Sequence, residues 1–203
     1  MKISILVEGE TEKAFKKHLS NYLKEKLAGK MPKLDFIPSN GRIPTCDKLK
    51  RIVSRLLSDR KSPSDCVIAL TDVYTGKNDF KNAEDAKTKM RQWVGEEPKF
   101  YPHAAQYDFE AWLIPYWSSI QKLAGNNRNA PGGNPENINH NKPPSYHIRE
   151  IFECSQSRRS YNKPRDAGRI LNDNGLDEAV IQCSELKAFV NTIISVCGGT
   201  VIP

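Results

Sequence analysis

The apolar run Ile3-Ser4-Ile5-Leu6-Val7 passes directly into Glu8-Gly9-Glu10-Thr11-Glu12. So short a run, bounded by a glycine, reads as a buried strand that feeds a helix. Gly9 has no Cβ and so allows a tight turn with positive φ. Thr11 supplies a helix cap, and Glu12 sits near the positive end of the helix dipole. Glu8 is then held at the carboxyl end of a strand, where open α/β sheets place their ligands. An ordinary acidic turn fits the same description, so the rest of the chain must discriminate.

The pattern recurs downstream. Ala14, Phe15, Leu19, Tyr22, Leu23 and Leu27 form a helical stripe ending at Gly29, with His18 inside the stripe as a packing residue. Leu34–Pro38 alternates as a short second strand, and a helix from about Thr45 or Asp47 to Leu57 buries Leu49, Val53 and Leu56. Cys66-Val67-Ile68-Ala69-Leu70-Thr71 reads as a core strand and also ends in an acid, Asp72. A polar loop over 75–82 leads to a third helix, Ala83–Val94, and 99–103 is again extended. Asp108 and Glu110 follow in an aromatic stretch that enters a helix. On a strand these two acids would share a face, but on a helix they would not.

Strand–helix alternation over 1–125 predicts an α/β domain built on a mostly parallel sheet of about four strands flanked by helices. Residues 126–146, rich in Gly, Asn and Pro, read as a surface loop or linker. Helical patterns at 147–154 and 176–196 predict a helical C-terminal extension, 147–203, packed on that domain. No apolar run is long enough to span a bilayer, and the N-terminus lacks a signal-peptide pattern. The five scattered cysteines include no CxxC pair, and no histidine, His103, His140 and His147 included, has zinc spacing. These features predict a cytoplasmic protein without a membrane partner.

Charge is unevenly placed. The formal net charge is +7, yet residues 1–62 hold 15 Lys and Arg against 7 Asp and Glu, whereas the remainder hold 16 against 17. The basic excess therefore flanks the Glu8 turn, as suits an anionic polymer such as nucleic acid. Carboxylates at three strand ends are the hard oxygen donors that Mg²⁺ takes, usually one or two together with substrate phosphates. A P-loop is excluded, because Gly76-Lys77 lacks the preceding glycine spacing.

Val7-Glu8-Gly9-Glu10-Thr11-Glu12, Leu70-Thr71-Asp72-Val73-Tyr74 and Tyr107-Asp108-Phe109-Glu110-Ala111-Trp112-Leu113 resemble the motifs of a small Toprim-like family. That family is related to the overcoming-lysogenization-defect nucleases. Pro143-Pro144-Ser145, Tyr161-Asn162-Lys163 and Cys183-Ser184-Glu185-Leu186 resemble its C-terminal motifs, so the likeness covers most of the chain. It implies a Toprim-like α/β fold with an Mg²⁺ site (Mn²⁺ being the alternative ion) and cleavage of DNA or RNA. It also implies phage defence or DNA maintenance beside an AAA- or ABC-type ATPase. Carried over, Glu8 is the acid/base or metal-linked glutamate, and Asp72, Asp108 and Glu110 complete the metal-binding acids. Lys163 contacts phosphate or supports the transition state. Tyr74 stands where many Toprim enzymes have a second Asp, which keeps a non-catalytic sensor or regulatory subunit open as the alternative.

Overall fold

The computed structural model describes residues 1–203 except 75–78, 140–141 and 156–158, and only the backbone of 10 and 12–14. Part of the expected 75–82 loop, and His140, thus lie outside the described residues. Strands β1 (Lys2–Val7), β2 (Lys33–Pro38), β3 (Cys66–Asp72) and β4 (Phe100–Ala105) form one all-parallel sheet in the order β2-β1-β3-β4. Helices α1 (Glu10–Leu27), α2 (Cys46–Leu57) and α3 (Ala83–Val94) join them in turn, as the alternation predicts. α1 begins at Glu10, one residue before the expected cap, so Thr11 lies inside the first turn.

Successive strand residues point to opposite faces, and the core divides accordingly. Ile3, Ile5 and Val7 of β1 and Cys66, Ile68 and Leu70 of β3 join one hydrophobic cluster with α1 and the C-terminal helices. Leu6, Val67 and Ala69 join another with α2 and α3. Burial on both faces explains why these strands read as continuous apolar runs.

After β4, a 3-10 helix (Phe109–Tyr116) runs into α4 (Trp117–Ala124). Pro115 has no N–H to donate, which suits a segment that does not settle into α-helix. The helices α5 (Pro144–Glu153), α6 (Lys163–Asn174), α7 (Asp177–Gln182) and α8 (Ser184–Val196) complete the chain. α6 carries no long apolar stripe, which hid it from the periodicity; its signals are the Asn162 cap, which accepts from the Arg165 N–H, and Pro164 in the first turn. The helix expected over 176–196 is two helices broken at Cys183.

Glu136, within the otherwise mostly exposed or part-buried 126–146 segment, reaches that break. Pro135 and Glu136 are buried in a short 3-10 turn, and Ile138 beside it is buried too. The Glu136 carboxylate accepts the Trp112 indole N–H at 3.2 Å, the Ser184 hydroxyl at 2.8 Å and the Glu185 N–H at 3.1 Å. It therefore caps α8 from a distant segment while fixing Trp112, which packs among Phe15, Phe109 and Phe189. Glu136→Ala strands the buried Trp112 indole N–H and removes the acceptor of two part-buried donors, and should cost about 2 kcal/mol in denaturant unfolding. A loss within a few tenths of a kcal/mol would mean that water replaces the carboxylate.

His103 on β4 gives a second check. Its Nε2 lies 3.0 Å from Thr192 Oγ1, and the Thr192 hydroxyl donates to Ala188 O, so the imidazole must be the donor. Nδ1 is buried without a hydrogen-bond partner. Burial, then the Lys87 and Arg91 charges, lower the His103 pKa to about 3. A depressed folded-state value means stability is present above the unfolded value near 6.5 and is lost as pH falls through the window down to about 3. Going from pH 7 to pH 5 should cost about 2 kcal/mol from this residue. Comparing unfolding curves of wild type and His103→Phe at both pH values reads that difference directly.

Candidate acidic site

Parallel pairing sets Leu6 opposite Ala69, so the carboxyl ends of β1 and β3 lie side by side. Glu8 follows β1 and is buried; its Oε1 accepts the Thr71 hydroxyl and, at 3.1 Å, the Asp72 N–H. The β2–α2 loop closes over the same turn, with Ser39 N–H bonded to Val7 O at 2.8 Å and Gly41 N–H to Glu8 O at 2.7 Å. These backbone bonds hold the Glu8 turn between β2 and β3, which makes the carboxylate a fixed feature of the sheet edge.

The third acidic segment leaves β4. Tyr107 has φ +69°, a left-handed conformation that a bulky residue adopts only under constraint. Its carbonyl accepts the Tyr74 N–H at 2.7 Å, and the two rings stack at 5.5 Å. Asp108 follows in extended conformation and Glu110 lies in the 3-10 helix, so the strand-or-helix alternative for the pair resolves into neither. Both acids are buried, Glu110 completely.

Asp108 Oδ2 accepts the Ser145 N–H at 3.1 Å, while Oδ1 is buried without a hydrogen-bond partner. Burial first, and the nearby Glu110 charge second, push the Asp108 carboxyl up to about 7. Glu110 takes the Lys163 ammonium at 3.0 Å, and the Tyr161 hydroxyl stands 3.5 Å away. Burial, then the Glu110 charge, hold the Tyr161 phenol well above its usual value. Lys163 is half-exposed: burial opposes its charge, but Glu110, Asp72 and Asp108 more than offset that and raise its pKa. One ammonium from α6 thus couples electrostatically to acids from β3 and from the segment after β4.

Lys163 therefore adjoins Glu110, and Glu8 adjoins the Asp72 backbone. Thr71, Ser145 and Tyr161 were not picked out as site residues from the sequence, although each lies in a stretch that carries the resemblance. Among the described residues no group of three or more His, Cys, Asp or Glu side chains stands close enough to hold a metal ion. The donor chemistry nonetheless suits a hard divalent cation, and Asp108 Oδ1 is an unpartnered oxygen beside a second carboxylate. Two such carboxylates completed by substrate phosphates and water form an ordinary Mg²⁺ environment. The described residues thus offer a partial set of donors that substrate phosphates and water would complete.

Beside the Glu8 turn, a groove of about 430 Å³ has Leu6, Ile37 and Ile52 in its walls and Arg42, Lys48 and Arg55 among its lining side chains. Part of the early basic excess thus stands next to the acidic edge. Arg42 is also paired with Asp79 at 2.6 Å.

A family model described as "Domain of unknown function (DUF4276)" matches residues 7–194. The fold is similar to that of the C-terminal region of the Burkholderia pseudomallei OLD protein, with a TM-score of 0.53 and 12% identity over 96% of this chain and 98% of that one. It is also similar to the C-terminal region of the Xanthomonas campestris pv. campestris OLD protein, at TM-score 0.50 and 12% identity over 97% and 93%. No curated protein matches the chain. At such identity the likeness is one of fold, and the four-stranded parallel sheet is consistent with the Toprim-like α/β architecture expected from the motifs.

Removing the ammonium tests the charge balance. Lys163→Met leaves the fully buried Glu110 facing Asp108 without its cation and should lower stability by about 2 kcal/mol. Thermal unfolding should show the loss, and an unchanged midpoint would mean that water already solvates Glu110.

Proposed function

We propose that this chain, which belongs to the DUF4276 family, is a Toprim-type metal-dependent nuclease acting on DNA or RNA. The observation that carries the reading is the shared edge. Glu8 is hydrogen-bonded to the Asp72 N–H, and Lys163 pairs with Glu110 while feeling the charges of Asp72 and Asp108. Lys163 links the acids after β3 and β4, and Glu8 is tied to the same β3 end through the backbone, an arrangement that suits phosphoryl chemistry better than solvated turn acids would.

Glu8, Asp72, Asp108 and Glu110 would hold Mg²⁺ or Mn²⁺. Such an ion, when bound, polarises a phosphoryl oxygen and lowers the pKa of coordinated water. Glu8, oriented by Thr71 and the Asp72 N–H, would accept a proton from an attacking water. Lys163 brings an ammonium to the acidic pair and can offset charge that develops on the phosphate. The basic groove beside the Glu8 turn would receive part of the anionic backbone. The structural relatives are C-terminal regions of larger proteins, which fits a chain working beside a separate ATPase.

A second reading has its own observation. Tyr74, at the position of the usual second Asp, is stacked on Tyr107 and places its hydroxyl 3.2 Å from Asn139 Oδ1. An aromatic there, half-exposed and held by one stacking contact and one hydrogen bond, supplies no metal-binding carboxylate and favours a regulatory Toprim-like subunit that binds without cutting.

One assay separates the two. The protein, alone and with an ATPase encoded beside it, is incubated with labelled DNA and RNA in Mg²⁺ or Mn²⁺. The nuclease reading expects cleavage that EDTA abolishes and that Glu8→Gln, Asp72→Asn or Glu110→Gln each reduce about 100-fold or more. Inactivity in every combination, together with no thermal shift on adding Mg²⁺, would leave the regulatory reading standing.

A further inference from the structure

The first turn of α6 carries a carboxylate that the acidic site does not use. Asp166 is fully buried, and its oxygens gather donors from three residues. Oδ2 accepts the Asn162 N–H at 2.8 Å and Arg165 Nη2 at 3.0 Å. Oδ1 accepts Arg165 Nε at 3.0 Å and Arg159 Nη2 at 2.9 Å, with Arg169 Nη1 3.9 Å away. One negative charge is thus surrounded by three guanidinium groups, which leaves two positive charges in excess.

That excess is neither hidden nor diffuse. The Arg159, Arg165 and Arg169 side chains are 32%, 46% and 51% exposed around a carboxylate that is not exposed at all. Phe152 lies under the Arg159 guanidinium at 5.1 Å and limits its movement, and Arg159 Nε is buried without a hydrogen-bond partner. Holding three like charges together costs repulsion that one carboxylate offsets only in part. A guanidinium carries five N–H donors in a fixed fork, so a second anion can be bound on the side away from Asp166.

The cluster also adjoins the acidic site through a single short loop. Asn162 donates its N–H to Asp166, while its neighbours Tyr161 and Lys163 both reach Glu110. Whatever occupies the arginines therefore lies beside whatever occupies the acids.

We infer that Arg159, Arg165 and Arg169, oriented by Asp166, form a bay that grips a non-reacting phosphate of a nucleic-acid strand next to the acidic site. The inference rests on the nucleic-acid reading above and adds the residues that would set where along the strand the acids engage. Arginine forks match phosphate oxygens in a bidentate manner, and each phosphate neutralised releases counterions. Asp166 acts as a positioning residue, since it touches the arginines and the loop but would not touch the ligand.

The test is binding without catalysis. Fluorescence anisotropy is measured with fluorescein-labelled single-stranded and duplex oligonucleotides in EDTA across a salt series. Arg165→Gln/Arg169→Gln should weaken binding roughly tenfold at low salt and flatten the log K against log salt slope by about 1. Arg91→Gln/Lys99→Gln, with the same loss of charge on exposed residues elsewhere, should change neither by as much. Asp166→Asn raises the net charge by one, and simple attraction would then tighten binding. The bay instead expects weaker binding, because the forks lose their anchor. Arg165 and Arg169 are exposed, so their double variant reads the bay even if Asp166→Asn does not fold.

Wild-type affinity and slope in the Arg165/Arg169 double variant would overturn the bay while leaving cleavage dependent on Glu8 untouched. Failure of the wild type to bind either oligonucleotide would overturn the bay together with the reading on which it rests.

Discussion

The carboxyl edge depends on the register of β1 against β3. Ile3 pairs with Cys66 and Leu6 with Ala69, which brings Glu8 level with Thr71 and the Asp72 N–H. A slip of one residue would send every β1 side chain to the opposite face. It would expose Ile3, Ile5 and Val7 to the cluster filled by α2 and α3, and it would part Glu8 from its donors. The register is fixed because both faces are buried and each is matched to a different set of helices. Site and core are therefore specified by the same residues.

Charge is the second constraint. Asp108 and Glu110 are buried close enough to raise the cost of ionising Asp108, and the protein meets that cost with a half-exposed lysine from another helix. A structural ion pair would gain little from such an arrangement, since two buried carboxylates and one cation remain unbalanced. Asp166 shows the converse imbalance a few residues away, one carboxylate among three arginines. The acidic pair and the arginine cluster thus stand in neighbouring places, which is the electrostatic basis of the phosphate contact proposed above.

How much of this was legible depended on whether the controlling interaction was local. β1, β3 and α3 were readable because a short buried run or a clean amphipathic stripe decides them. The acids at the strand ends were readable for the same reason, as were the motifs that suggested Lys163. α6 was not, because its cap and proline are stronger signals than its narrow apolar face. The break at Cys183 was hidden because the carboxylate that caps α8 comes from Glu136, 48 residues earlier than Ser184. Lys163 entered through likeness alone, as a phosphate contact or transition-state support, and nothing in the sequence spacing predicts its pairing with Glu110.

Sequence separation also governs when the acidic edge can come into being. Glu8 meets Thr71 across 63 residues, and Glu110 meets Lys163 across 53. During synthesis the sheet strands emerge first, with buried carboxylates whose cation has not yet been made. A nascent chain that stops short of α6 has therefore neither the ammonium that quiets Glu110 nor the arginines gathered by Asp166. Non-local contacts of this kind close late, after the entropy of long loops has been lost. The arginine cluster and the ammonium beside Glu110 are in this way tied to completion of the fold, whereas the groove lined by Arg42, Lys48 and Arg55 comes from chain made long before them.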